Sequence, residues 1–458
     1  MPAPPLQGRA HDPEGASDHV TPYDRLAWSD GEVESLLASG AHAQELTAYF
    51  GDEEYRVLAR LARAAAATEV RRDAGRTIIV PGIMGTQLGI ARRAPLPPDI
   101  LWLDPVDISI GRLTALRAPH QGAIRPLGVV LYSYLRLKLL LRIAGLDPLF
   151  YDYDWRRGID ELGRELAQRL QAQPPGRLTI VAHSMGGLLA RTALTHPGGA
   201  RIERLVLLGV PNFGSFAVVQ ALRGTYAVVR KIARVDAVHT AEYLAGEVFA
   251  TFPSLYHMLP APGYSGSTDL FDAAQWPRSG PQPAKELLSE ARAIGRLLAP
   301  PDERFAVIVG VDQETVTAVR RSRDDFVYTI TRHGDGTVPT ECARLPGART
   351  YHVPVSHSEL TRNATVARAV ADLLTTGATR RLKSQLRRAG LAAARISDRA
   401  LRKTHAAKVI WTALDPDERR VFLQNLNEPP HLKLRAPRQR VASGRARRRN
   451  HRLTRGNA

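Results

Sequence analysis

The chain has 458 residues with a mean hydropathy of −0.21, and 44% of its residues are hydrophobic. That is enough apolar material for a large core and excludes a wholly disordered, collagenous or disulfide-stapled chain. The formal charge is +18, but residues 380–458 hold 22 of the 63 basic residues and only 5 of the 45 acidic ones. That end carries +17 and leaves +1 for residues 1–379, so the sequence reads as a near-neutral body with a basic appendage.

The N-terminal residues 1–20 are rich in Pro, Gly and acid and read as disordered. They lack an apolar signal core, and no stretch reaches the ~18 uninterrupted apolar residues of a membrane span. The most apolar stretch, which starts at Val129, carries Arg136, Lys138 and Arg142 and reads as a buried amphipathic helix. With one cysteine, Cys342, an intramolecular disulfide is excluded, which fits a reducing compartment. The expectation is a cytoplasmic protein with peripheral membrane contact.

Residues 21–74 predict a helical N-terminal extension, with Ser29 or Asp30 as the first cap and a strong helix former in EEYRVLARLARAAAA. From Thr77 the texture changes. Short apolar runs at 77–82, 149–155, 178–184, 205–211, 305–311 and 350–357 alternate with helical stretches. Apolar strands separated by helices predict an α/β fold, with a mostly parallel central sheet flanked by helices over residues 75–375. No strand run falls between about 213 and 300, which reads as a cap or lid inserted over one end of the sheet. Residues 376–430 predict a basic helical extension, with an amphipathic helix at 380–396, and 431–458 a disordered basic tail.

The segment LTIVAHSMGGLLAR carries the clearest chemistry. A strand runs into Ala182-His183-Ser184-Met185-Gly186 and then into a helix, the strand–turn–helix setting of a nucleophile elbow, with Ala182 where glycine is usual. A serine nucleophile on this fold needs an acid and a histidine further along the chain, in that order. Asp335, in a Gly-Asp-Gly turn after FVYTIT, and His357, in a loop after TYHVPV, meet that need. Asp312 is the rival acid; His352, inside the strand, is the rival histidine. The N–H of Met185, at the helix N-terminus, is one oxyanion donor. The turn Val80-Pro81-Gly82-Ile83-Met84-Gly85 supplies the second, most naturally the N–H of Ile83. Met84, Trp102 and Phe213 are candidate walls of the acyl site. The histidines lack metal-ligand spacing and no glycine-rich phosphate loop occurs, so neither metal nor cofactor is expected.

The motifs VPGIMGTQL, LWLDP, FYDYDWR, VAHSMGG, LGVPNFGS, PSLYHMLP and GDGTVP, in this order, resemble the lecithin:cholesterol acyltransferase family, including its lysosomal phospholipase A-like and bacterial lipase-like members. The resemblance covers about residues 75–375. It implies an α/β-hydrolase fold, a triad of Ser184, Asp335 and His357, and an oxyanion loop at 81–84. It also implies a serine lipid esterase or acyltransferase acting on acylglycerol or phospholipid esters. A hydrolase-fold binding module without catalysis, and a serine esterase for soluble esters, are the competing readings. The basic appendage is expected to meet an anionic membrane surface through 380–396 and the tail; nucleic acid is a weaker reading, because no aromatic residues interleave the arginines.

Overall fold

The computed structural model describes residues 19–24, 28–93, 95–118, 124–264, 268–385, 393–403, 408–415, 418, 419 and 422. The expectations for 1–20 and 431–458 fall almost wholly and wholly outside them.

Twelve strands are described: β1 (Arg76–Val80), β2 (Thr86–Ile90), β3 (Asp99–Trp102), β4 (Ile124–Val129), β5 (Asp147–Phe150), β6 (Leu178–His183), β7 (Ile202–Leu208), β8 (Phe305–Gly310), β9 (Thr315–Ser322), β10 (Asp325–Thr331), β11 (Arg349–Val353) and β12 (Ala394–Ser397). Six form one parallel sheet in the order β11-β8-β7-β6-β1-β5. The unbroken apolar character of its central strands has a direct cause, since both faces are covered. Ile78, Ile180, Leu205 and Val307 face one core with Leu162, Leu166 and Leu189. Their neighbours Ile79, Val181, Val206 and Ile308 face a second core with Leu137, Leu141, Val366 and Val370. Helices Leu131–Ile143, Ile159–Gln171, Met185–Ala193 and Ala364–Thr376 supply those covering residues.

Two small three-stranded sheets, β3-β2-β4 and β12-β10-β9, flank the large one. The helix expected from Val129 starts at Leu131, because Val129 closes strand β4. Between β7 and β8 the described residues are helical and irregular, from Phe216–Leu222 through Ala227–Val235 to Ile294–Leu297.

The N-terminal helices Asp30–Ser39, Ala43–Phe50 and Asp52–Ala66 bury Leu37, Phe50 and Leu58 against Leu135 and Leu139 of helix Leu131–Ile143. Ser29, not Asp30, is the cap: its hydroxyl accepts from the Glu32 N–H while Glu32 reaches back to the Ser29 N–H.

The C-terminal extension corrects the expected helix at 380–396. Ala394–Ser397 is a strand, antiparallel to β10, and residues 380–385 are irregular apart from a bridge of Lys383 to His352; residues 386–392 lie outside the described residues. The spacing of Leu382, Leu386, Ala389, Ala393 and Ile396 suits a helix, yet the backbone of β10 offers a free edge that 394–397 completes. The anchor follows at once. Asp398 is fully buried, accepts from Arg223 Nε at 2.8 Å and from Tyr328 Oη at 2.5 Å, and Arg223 also donates to the Pro281 carbonyl at 2.6 Å. Further on, Lys408 Nζ donates to the carbonyls of Ala233, Asp236 and His239, at the C-terminal end of helix Ala227–Val235 where a cation is favoured. Residues 394–403 and 408–415 thus strap the extension onto the segment between β7 and β8.

Replacing Asp398 by Ala leaves the Arg223 guanidinium buried without its charge partner. We expect a loss of about 3–5 kcal/mol, read by urea or thermal unfolding. A loss under about 1 kcal/mol would mean that the strap adds little to stability.

Candidate active site

Strand β6 runs through the middle of the sheet and ends at His183. The chain then turns at Ser184, with φ 52° and ψ −129°, into helix Met185–Ala193. A non-glycine residue at positive φ costs on the order of 1–3 kcal/mol, and neighbouring contacts must hold it there. They do. The Ser184 N–H is bonded to the Leu208 carbonyl at 2.9 Å, and the helix lies so close to β1 that a Cβ on Gly186 would sit 2.3 Å from the Pro81 carbonyl oxygen. Glycine is the residue that permits this approach.

Asp335 and His357 come together from loops 22 residues apart in sequence. His357 Nδ1 lies 2.7 Å from Asp335 Oδ2, and the His357 N–H donates to the Asp335 carbonyl at 2.8 Å. The other carboxylate oxygen accepts from the N–H groups of Thr337 and Val338 at 2.9 and 2.7 Å. Asp335 is 1% exposed, so three donors compensate a buried charge. Gly209, at φ 55°, makes the room: a Cβ there would lie 3.0 Å from Asp335 Oδ2 and 3.1 Å from His357 Nδ1.

The rivals stand elsewhere. The Asp312 carbonyl accepts from Arg332, and His352 stays within β11, where its N–H donates to the Lys383 carbonyl.

Ser184 and His357 line one cavity of about 420 Å³. No hydrogen bond joins their side chains among the described residues. Serine–histidine contacts of this kind tighten when substrate arrives. The walls are mostly carbon: Trp102, Val218, Val229, Ile232, Phe252 and Leu255. Both chain extensions contribute, through Tyr23 and Tyr49 on one side and Trp411 on the other. Sequence reasoning assigned no such role to either extension, and no periodicity in them signals it.

The loop 81–85 is held by aromatic side chains. Tyr134 Oη accepts from the Gly82 N–H at 2.8 Å, Tyr153 Oη donates to the Pro81 carbonyl at 2.7 Å, and Trp102 Nε1 donates to the Met84 carbonyl at 3.0 Å. The Gly82 N–H is therefore occupied, while the Ile83 N–H has no partner among the described hydrogen bonds. Met185, the first residue of its helix, presents one of the N–H groups that no helical turn can satisfy.

Of the expected walls, Met84 and Trp102 line the cavity. Phe213 does not. Its ring stacks on Tyr264 at 4.6 Å, while its N–H and carbonyl bond Cys342 and Ala261, which draws it to the outer side of the loop.

Among the described residues no group of three metal-ligating side chains occurs, and no helix is long and apolar enough to cross a membrane.

A parallel sheet carries a strained strand-to-helix serine, followed in chain order by a buried acid and its histidine. This is the α/β-hydrolase fold.

No protein-family model matches the chain, and no curated protein matches it. Solved structures similar to it include a chain of the Tle4–Tli4 complex, at 15% identity and a TM-score of 0.46, over 66% of this chain and 99% of that one. The mature lipase BlEst2 of Bacillus licheniformis is similar at 14% identity and 0.36, over 67% and 95%. The carboxylesterase CesB of Bacillus subtilis is similar at 10% and 0.30, over 68% and 86%.

Burial lowers the pKa of three histidines below the ordinary 6.5: His183, where the nearby His357 adds to the effect, His257 and His352. As pH falls through about 6.5 the unfolded chain protonates these rings before the folded chain does. The unfolded state then binds more protons, so stability falls as pH drops. Burial acts the opposite way on Asp104 and Asp107, raising their pKa values to about 6 and about 7, so these carboxyls offset part of the trend. We expect the change in melting temperature from pH 7 to pH 5 to be more favourable for His257→Gln than for the wild type, read by thermal unfolding. An equal change in both would mean that the His257 ring protonates in place.

Proposed function

We propose that the chain is a serine-dependent lipid ester hydrolase or acyltransferase that acts on acylglycerol or phospholipid esters. The reading includes membership of the lecithin:cholesterol acyltransferase family. The observation that carries it is the Asp335–His357 pair and the strained Ser184 opening together onto a carbon-lined cavity.

The steps follow from the positions. Ser184 Oγ attacks the ester carbonyl while His357 Nε2 takes its proton, and Asp335, on Nδ1, stabilises the imidazolium. The negative oxygen is met by the Ile83 and Met185 N–H groups. Collapse expels the alcohol, which leaves with the proton from His357, and the acyl group stays on Ser184. Water or an acceptor alcohol, deprotonated by His357, then releases the acyl group. An apolar cavity favours a fatty acyl chain over a short polar one, which sets the lipid reading ahead of soluble esters.

A surface feature supports action at a membrane. The three most exposed large apolar residues among those described, Ile410 (71%), Val238 (64%) and Ile110 (58%), come from three segments that meet. The Ala237 N–H bonds the Ser109 carbonyl, a Cβ on Gly111 would touch Val238, and the Val409 N–H bonds the Arg234 carbonyl. They adjoin helix Ala227–Val235, whose Val228, Val229 and Ile232 line the cavity. With 380–396 not a continuous helix, this patch replaces it as the proposed apolar contact, and the chain's +18 charge favours anionic lipid.

Two measurements test the proposal. A fluorophosphonate probe should label the wild-type chain and leave Ser184→Ala unlabelled; an unlabelled, folded wild type sinks the serine chemistry. Sedimentation with phosphatidylglycerol vesicles should show binding, reduced at least about fivefold by the pair Val238→Glu and Ile410→Glu, since each buried apolar group contributes on the order of 1 kcal/mol or more. Equal binding by the variant would remove the patch from the contact.

A further inference from the structure

The residue before the serine has an arrangement that the proposed steps do not use. His183 is buried beside His357, with ring centroids 4.6 Å apart. Its Nδ1 lies 2.9 Å from Tyr134 Oη, and its Nε2 lies 3.1 Å from the backbone carbonyl of His357. Tyr134, buried in helix Leu131–Ile143, also accepts from the Gly82 N–H at 2.8 Å.

The directions of these bonds follow from one fixed donor. Gly82 N–H can only donate, so the Tyr134 oxygen accepts there and turns its own proton to His183 Nδ1. Nδ1 is then an acceptor, which leaves the ring proton on Nε2. That proton points at a carbonyl, which can only accept. The chain Gly82 N–H, Tyr134 O–H, His183 Nε2–H, His357 C=O runs in one direction with every member satisfied. It joins the loop that holds Ile83, the strand end that holds Ser184, and the loop that holds His357.

We propose that Tyr134 and His183 form a positioning relay that fixes the oxyanion loop and the base loop relative to the serine, with His183 a permanently neutral, Nε2-protonated ring. The inference rests on the proposed serine chemistry at Ser184. Neither side chain exchanges a proton with substrate; both act through the backbone of residues that do. The titratable groups against His183 are Tyr134 on the helix side and His357 on the loop side, with Asp335 beyond His357. Desolvation of His183 and its closeness to His357 both disfavour a charged ring, in agreement with the bonding pattern.

The relay makes a demand that simple packing does not. Tyr134→Phe keeps the ring and removes one hydroxyl, leaving the Gly82 N–H and His183 Nδ1 without partners. His183→Gln keeps a donor near the Nε2 position; His183→Phe keeps none.

The experiment measures fluorophosphonate labelling rates of the full chain between pH 5 and 9, for wild type, Tyr134→Phe, His183→Gln, His183→Phe and the double Phe variant, each checked for folding by thermal unfolding. Expected are a loss of about 10–100-fold for Tyr134→Phe, the size of effect that a displaced catalytic geometry produces. The double variant should be little slower than the slower single one, and His183→Gln faster than His183→Phe. The wild-type rate should follow one ionisation, and Tyr134→Phe should show a second. Labelling of Tyr134→Phe within twofold of wild type on the same pH profile, or multiplying effects in the double variant, overturns the relay alone. An unlabelled wild type overturns it together with the serine chemistry. Nitrogen-15 spectra of the wild-type imidazoles need no variant: His183 should stay neutral with its proton on Nε2 from pH 5 to 8, and an Nδ1–H ring or an ordinary titration overturns the relay.

Discussion

The backbone at Ser184 is the constraint around which the remaining structure is organised. A serine at φ 52° is unstable by itself, and it persists because β6 cannot move. That strand is paired on both sides, to β1 and β7, and every one of its residues is buried. The helix that follows is pressed against the end of β1 at Gly186, so the turn has no alternative path. Strain of this kind needs a rigid support. The neighbouring strands then bring the other parts to the same end of the sheet. The loop after β1 carries Gly82 and Ile83, the chain after β7 gives the space at Gly209, and the loop after β11 carries His357.

Above this rigid layer the cavity is built from pieces distant in sequence. Helix Ala227–Val235 provides apolar walls, Tyr23 and Tyr49 come from the N-terminal extension, and Trp411 comes from the C-terminal one. The strap formed by residues 394–403 and 408–415 changes how the basic appendage is read. Lys408 is engaged by three backbone carbonyls, and Arg402 lies 3.3 Å from Asp398. Part of the charge excess therefore does structural work at the segment between β7 and β8, and a count of basic residues overstates the charge available to a membrane surface.

What was legible in the sequence was whatever is local. The elbow is encoded within a few residues, as an apolar strand, small residues around a serine and a helix former, so Ser184 reads directly. Asp335 and His357 read because each follows an apolar run, and strand ends of a parallel sheet share one edge. The small sheets do not read from the sequence because β2, β4 and β12 break their apolar residues with Gln, Gly, Arg, Pro or Ser, so no unbroken apolar run marks them. The strand at 394–397 reads as helix in the sequence because its partner β10 lies some 70 residues earlier and leaves no trace in its spacing. Phe213 was misplaced for a similar reason: its stacking partner Tyr264 lies 51 residues further on. Tyr134 reads only as one more ring in an apolar helix, since its function lies in bonds to Gly82 and His183, across 52 and 49 residues of chain.

Two histidines a ring's width apart raise an electrostatic problem that the hydrogen bonds resolve. During the proposed attack His357 becomes an imidazolium. A second positive ring 4.6 Å away would oppose it by about 4 kcal/mol at an effective dielectric near 20, a cost of nearly a thousandfold in rate. The partners differ accordingly. His357 has a carboxylate on Nδ1, placed to meet the charge created in the proposed attack, and His183 is buried with a phenol on Nδ1, its charged form disfavoured by desolvation. The two rings thus differ in what surrounds them, His357 facing a carboxylate and His183 lying buried between a phenol and a carbonyl. Burial and the neighbouring His357 keep His183 uncharged, and in the proposed relay Tyr134 fixes which nitrogen carries its proton, so the positive charge created on His357 meets Asp335 and no competing cation.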